Sequence, residues 1–148
     1  MFGEETSRTL FVSAEVQDAV TPPFQQPNKT LHAEFRATLD GFLEGGEMSV
    51  GENPRTKASD ALLARVEPVE DDLFDFRVTS PRPQIRAFGG FAEKDTFVIV
   101  TWQYRDIIAD DFDGEVHRCK IEWQKLFART KPFKGRNLDD YLSNWFAV

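Results

Sequence analysis

The stretch from Pro83 to Asp106, PQIRAFGGFAEKDTFVIVTWQYRD, constrains the fold more than any other part of the chain. It contains two runs rich in β-branched and aromatic residues with a short polar break between them, which is typical of a β-hairpin. If Glu93 and Lys94 form a two-residue turn, Arg86 lies opposite Thr101 and Ile85 lies opposite Trp102. The sequence therefore predicts two long paired strands whose side chains alternate between two faces.

One face of this hairpin is predicted to be apolar and the other to carry arginine. The apolar face would hold Ile85, Ala87, Phe91, Val98, Val100, Trp102 and Tyr104. The second face would hold Phe88, Phe97 and Ile99 near the turn, and Arg86, Thr101, Gln103 and Arg105 at the open end. In the preceding strand the same alternation directs Arg77 to this second face. We predict an anion site formed by Arg77, Arg86 and Arg105. The alternative is three solvated edge charges, and a one-residue slip would separate Arg86 from Arg105.

Further helices and strands are predicted on both sides of the hairpin. From the possible N-cap Asn28, apolar residues recur at helical spacing until Gly45, which predicts an amphipathic helix over 28–44. The segment TLFVSAEV predicts a short edge strand and a helical turn, and residues 47–60 an exposed loop. ALLARVEPV and DLFDFRV would form an antiparallel meander with the hairpin. GEVHRCKIEWQKLFAR predicts a C-terminal helix, and NLDDYLSNWF predicts a last short helix beginning at Asn137.

These elements predict one α+β domain over residues 1–148, with a core over 10–128 and a C-terminal extension over 129–148. N-terminal helices are expected to pack on a twisted antiparallel sheet of about four strands, which a C-terminal helix follows. A chain of 148 residues is long enough for one substantial core and short for two.

The charge of the chain is unevenly distributed. The net charge is -7, yet residues 77–105 carry a net charge of +3 and residues 115–136 a net charge of +5. This pattern favours either a basic face on an acidic body or ordinary scatter of solvated charge. Cys119 is the only cysteine, which excludes an internal disulfide and a cysteine-based zinc site. With no secretory signal pattern at the start and no long apolar run, we expect a cytoplasmic protein without a membrane span.

Three strands and one helix resemble those of the RelE/ParE toxin superfamily. LFDFRV resembles the family's strand that ends in a basic residue, IRAFGGF its next strand with an arginine, and FVIVTWQYRD its last strand with a basic cluster. GEVHRCKIEW resembles the start of its C-terminal helix. The resemblance covers roughly residues 10–128 and implies a RelE-like fold. In ribonuclease members it implies Arg86 and Arg105 at the scissile phosphate, Arg77 in support and His117 as the proton-transfer group.

Such a site would cleave RNA without a metal or another cofactor. Attack by the 2′-hydroxyl needs a base, an acid and cationic donors for the charge of the phosphorane, and histidine and arginine supply these roles. The alternative for His117 is a half-buried structural histidine. We expect His32 on the surface of the first helix, Tyr104 on the core face and Cys119 in packing rather than in catalysis.

Three hypotheses on function follow. The first is a RelE-like endoribonuclease toxin that acts on RNA or ribosome-bound mRNA. The second is a ParE-like toxin that binds a protein target, and the third is an inactive relative that serves as an interaction module. For either toxin we expect a cognate antitoxin protein that lays an acidic segment across the arginine face.

Overall fold

The computed structural model describes residues 7–54 and 61–148. Within these residues one mixed sheet of seven strands runs in the order β1-β6-β5-β4-β3-β2-β7. The strands are β1 (Thr9–Val12), β2 (Met48–Gly51), β3 (Leu63–Arg65), β4 (Leu73–Val78), β5 (Ile85–Glu93), β6 (Thr96–Tyr104) and β7 (Trp145–Ala147). The helices are α1 (Ala14–Ala19), α2 (Lys29–Leu43), α3 (Arg105–Ile108), α4 (Phe112–Leu126) and α5 (Leu138–Tyr141), and Val69–Asp71 form a 3₁₀ turn.

The predicted α+β fold, a RelE-like sheet of about four strands between N-terminal helices and a final helix, is wrong. Strands β3 to β6 do form an antiparallel meander. However, β1 adds to β6 in parallel, and β2 and β7 extend the opposite side through parallel pairs. Strand β2 lies within the segment 47–60 predicted as a loop, of which residues 55–60 lie outside the described residues. The predicted last short helix is helical only over α5, and the end of that segment forms strand β7 instead.

The hairpin of β5 and β6 is confirmed, but its register differs from the predicted one. Glu93 pairs with Thr96, so the turn is Lys94–Asp95, and Arg86 lies opposite Gln103. An irregularity follows Phe88, which pairs with Thr101, because the next residue, Gly89, pairs with Ile99 and leaves Val100 as an extra residue. The backbones are so close there that a Cβ on Gly89 would collide with the carbonyl group of Val98.

The extra residue reverses the predicted faces near the turn. Phe97 and Ile99, predicted on the arginine face, lie in the main core instead. Val98 and Val100, predicted on the core face, lie in a second apolar cluster. At the open end the register is shifted by two residues rather than one, so each side chain keeps its predicted face.

Different helices cover the two faces of the sheet. The main core holds buried residues of α1, α2 and α5, including Val16, Phe35, Leu39 and Tyr141. The predicted amphipathic helix over 28–44 is therefore confirmed as α2. The second cluster holds residues of α4 packed against strand residues, including Val116, Cys119, Trp123, Leu73 and Phe88. The helix predicted to be C-terminal thus covers the opposite face from α2.

His32 is fully buried, and its predicted place on the surface is wrong. Its Nδ1 lies 2.8 Å from the carbonyl oxygen of Ala19, and its Nε2 lies 2.5 Å from the hydroxyl oxygen of Tyr104. With Nδ1 donating to the carbonyl, Nε2 accepts the hydroxyl hydrogen of Tyr104. Both ring nitrogens therefore have partners, which is what burial of this polar side chain requires.

Arg8 is buried and joins four distant parts of the chain. Its guanidinium donates to the backbone carbonyl groups of Phe42 (3.3 Å), Gly46 (2.6 Å), Ser143 (2.7 Å) and Asn144 (3.2 Å). Its Nε lies 3.8 Å from the carboxylate of Asp95 in the hairpin turn. Burial lowers the pKa of Arg8, and Asp95 raises it. The start of β1, the end of α2, the hairpin turn and the segment before β7 therefore share one cation.

Replacing Arg8 by methionine should lower the free energy of unfolding by about 3–5 kcal/mol, because Asp95 and several carbonyl groups would lose their donor in a buried place. Urea denaturation measures the loss. Arg36→Met is the matched control, since Arg36 is exposed, pairs with Asp40 on the surface of α2 and donates to a single backbone carbonyl, that of Val20. It should cost about 1 kcal/mol or less. Equal losses in the two variants would contradict the role of Arg8.

Candidate functional site

The structure brings Arg77 and Arg86 together on one face of the sheet. They lie directly opposite each other in the pairing of β4 with β5. Asp75, two residues before Arg77, shares this face because side chains alternate along a strand. Its partner Phe88 packs in the cluster that α4 covers, so the two arginines lie on the α4 side of the sheet.

Asp75 lies between the two arginines. Its carboxylate is 3.6 Å from Nε of Arg77 and 3.8 Å from Nε of Arg86. Asp75 is fully buried, whereas the side chains of Arg77 and Arg86 are 22% and 12% exposed. Both distances are those of ion pairs rather than of hydrogen bonds. Among the described residues, neither carboxylate oxygen of Asp75 has a hydrogen-bond partner.

The charges of this group perturb one another. Burial raises the pKa of Asp75, and the nearby Arg77 and Arg86 lower it by less. Burial also lowers the pKa of Arg86; Asp75 raises it, and Arg77 and Arg105 lower it further. Arg105 is therefore close enough to act on Arg86, while the carboxylate of Asp75 pairs with Arg77 and Arg86. We call Arg77, Arg86 and Arg105, with Asp75, the arginine cluster.

Arg105 lies at the open end of the hairpin. It follows β6 and begins the short helix α3, where its backbone N–H donates to the carbonyl of Gln84 (3.0 Å). Its guanidinium donates to the carbonyl of Ala109 at 2.8 Å. The side chain is half-buried, so part of it is accessible to a ligand.

His117 is exposed on α4, which covers the same face of the sheet as the arginine cluster. It lines a cleft together with Asp71, Lys120 and Lys134, and none of the three arginines lines that cleft. Across residues 7–54 and 61–148, no hydrogen bond or ion pair joins His117 to these arginines. The structure thus groups Arg77, Arg86 and Arg105 and places His117 at a different feature of the α4 side.

The other candidate side chains are structural. Tyr104 packs against the main core and bonds His32. Cys119 is buried, and burial raises the pKa of its thiol to about 12, so it stays protonated at neutral pH. In the described part of the chain, no group of three or more histidine, cysteine, aspartate or glutamate side chains could hold a metal ion. None of the helices described there combines the length and the apolar composition that a membrane span requires.

Asp75 is the member of the cluster that the sequence-based prediction missed. The signal was present, because the alternation that assigns Arg77 to the second face assigns Asp75 to it as well. Asp75 stands between Phe74 and Phe76 in a strongly apolar strand, a place where an aspartate is rare unless paired. The arginine cluster is thus partly neutralised from within.

Comparison of this chain with protein-family models, curated proteins and solved structures finds no significant match.

The raised pKa of Asp75 predicts a pH dependence of stability. Because the pKa of Asp75 is raised, the folded state binds the carboxyl proton more tightly than the unfolded state does. The contribution of Asp75 to the free energy of unfolding therefore falls as pH rises from the ordinary aspartate pKa of about 3.9 towards the raised value. Over that window the unfolding free energy of the wild type should fall relative to that of Asp75→Asn. Urea denaturation at a series of pH values tests this.

Asp40→Asn is the control for this experiment, since Asp40 forms only an exposed pair with Arg36. Its difference from the wild type should not follow the trend of Asp75→Asn. A stability difference for Asp75→Asn that is constant or of opposite slope above pH ~4 would contradict a raised pKa in the folded state.

Proposed function

We propose that the protein binds RNA phosphates at the arginine cluster. The observation that carries the proposal is the direct pairing of Arg77 with Arg86 across two strands. Like charges in such a pair repel each other, and this repulsion costs stability. A phosphate bound beside Arg77 and Arg86 would reduce the repulsion and accept hydrogen bonds from their guanidinium groups.

Arginine suits this role because its planar guanidinium offers two parallel donors to a phosphate. The accessible portions of Arg77, Arg86 and Arg105 are the parts that RNA would contact. The choice of RNA rests on the resemblance of the strands that carry these residues to strands of RelE-like ribonucleases. A cytoplasmic location belongs to the same proposal and agrees with a single, buried, free cysteine.

The sharper form of the proposal is metal-independent cleavage of the bound RNA, as in an endoribonuclease toxin. Arg86 and Arg105 would stabilise the phosphorane, and His117 would move a proton. Two observations support it: His117 is exposed, and its helix covers the sheet face that bears the arginines. The RNA would have to extend from the arginine cluster to the cleft that His117 lines.

RNA binding can be measured by fluorescence anisotropy with a labelled single-stranded RNA. Arg86→Ala should weaken binding by about tenfold or more, because it removes a charge-assisted contact to phosphate. It should also reduce the dependence of affinity on salt, by roughly 0.7 in the logarithmic slope for each lost phosphate contact.

Arg36→Ala is the matched control for RNA binding, because Arg36 lies on α2, which covers the other face of the sheet. It should leave affinity nearly unchanged. Equal weakening by both variants would show that binding reflects general charge rather than the arginine cluster. The alternative is a toxin that binds a protein target. It would replace the RNA proposal if RNA does not bind, and if the product of an adjacent antitoxin-like gene co-purifies with the wild type but not with a variant in which the charges of Arg86 and Arg105 are reversed.

Cleavage separates the roles of His117 and Arg86. With RNA as substrate, His117→Ala should lower the rate by about 10²- to 10⁴-fold with affinity nearly unchanged, because it removes only proton transfer. Arg86→Ala should reduce both rate and affinity. Gel analysis of end-labelled RNA in the presence of a chelator gives the rates. Undiminished cleavage without His117 would remove it from the mechanism, and no cleavage by the wild type would leave a binding protein.

A further inference from the structure

The cleft that His117 lines is a second feature of the α4 side. It has a volume of about 760 Å³ and lies between the outer surface of α4, the 3₁₀ turn and the segment 127–134 that follows α4. A volume of this size is within the range of small-molecule sites.

Specific contacts fix the walls of the cleft. Asp72 on its floor accepts from Nη2 of Arg65 (2.9 Å) and from the hydroxyl of Tyr141 (3.1 Å), and it lies 3.6 Å from Nζ of Lys134. The indole N–H of Trp123 donates to the carbonyl of Thr130 at 2.8 Å. These bonds tie the segment after α4 to the helix and to the sheet, so the cleft exists before any ligand enters.

The same segment is also held against strand β5. The backbone N–H of Phe133 donates to the carbonyl of Phe91 at 2.7 Å. Pro132 packs so closely on Gly90 that a Cβ there would lie 2.8 Å from the Cβ of the proline. Strand β4 begins at Leu73, which pairs with Gly90. Beyond that point the segment that follows α4 lies along β5 in place of β4.

The lining of the cleft carries an excess of unpaired positive charge. Its cations are Lys120, Arg129, Lys131 and Lys134, and its anions are Glu70, Asp71 and Asp72. Lys120 pairs with Asp71 at 3.0 Å, and Lys134 with Asp72. Within the described residues, Arg129, Lys131 and Glu70 form no ion pair. Four cations against three anions leave the lining with an excess of one positive charge beside the exposed His117, in a chain of net charge -7.

The cleft also offers apolar contact beside these charges. Ile121 is 41% exposed, and Phe127 and Pro132 are half-buried in the lining. We propose that this cleft binds a small organic anion, in which a phosphate or carboxylate group meets Arg129 and Lys131 while an aromatic or aliphatic body packs on Ile121 and Phe127. The site is separate from the arginine cluster and does not depend on RNA binding there.

Phenyl phosphate and benzoate are suitable probes, because they share the apolar body and differ in the anionic group. Titration followed by ¹H–¹⁵N NMR should show saturable binding with a dissociation constant on the order of 1 mM, as expected for such small molecules. The indole N–H of Trp123 should shift, while those of Trp102 and Trp145, which bond Glu15 and Asp139 elsewhere, should not. Inorganic phosphate and phenol should each bind more weakly than phenyl phosphate.

The double variant Arg129→Ala, Lys131→Ala should weaken binding of phenyl phosphate by about tenfold or more, since it removes charge-assisted contacts. Lys125→Ala is the control, because Lys125 lies in the last turn of α4, next to the segment 127–134, and is exposed and outside the lining. It should bind as the wild type does. No saturable binding of either probe, or equal binding by the double variant, would overturn the proposal. Loss of phenyl phosphate binding in Arg86→Ala, with binding retained in the double variant, would show that the anion binds at the arginine cluster, and it would also overturn the proposal.

Discussion

The buried guanidinium of Arg8 is the interaction on which the arrangement of this sheet depends. It bonds backbone carbonyls at the end of α2 and before β7, and it faces Asp95 in the turn between β5 and β6. Burial of a cation is costly unless polar groups compensate for the lost water. Four backbone carbonyls accept from the two terminal nitrogens of Arg8, and Nε faces the carboxylate of Asp95. Because these partners belong to separate elements, the position of each edge strand is coupled to the central hairpin.

Alternation along the chain predicted the hairpin and the shared face of Arg77 and Arg86. The predicted register between β5 and β6 was wrong by two residues at the open end, and such an even shift leaves each side chain on its predicted face. The extra residue Val100 reversed the faces of Phe97 and Ile99, and a simple alternating pattern carries no sign of such an insertion. Helical spacing predicted α2 correctly. The placement of His32 on its surface was wrong, because His32 lies three residues before Phe35 and so shares the buried side of the helix.

The extent of the sheet was harder to predict. Strands β2 and β7 have four and three residues, too few for a periodic pattern, and each is decided by a partner far away in sequence. In the candidate site, too, local features could be predicted from the sequence, and features that depend on distant segments could not. Local alternation grouped the arginines, but it gave no information on the cleft, whose walls are joined by Asp72, Lys134 and Tyr141 from distant segments.

The parallel pairs at the two edges of the sheet have a consequence for the order of folding. Thr9 pairs with Thr96, and Met48 pairs with Trp145, so each edge closes a loop that spans most of the described chain. Closing such loops costs chain entropy before any contact compensates for it, whereas the meander from β3 to β6 joins neighbouring segments. We therefore expect the meander to form a local nucleus, and the edge strands with Arg8 to join it in a later and slower step.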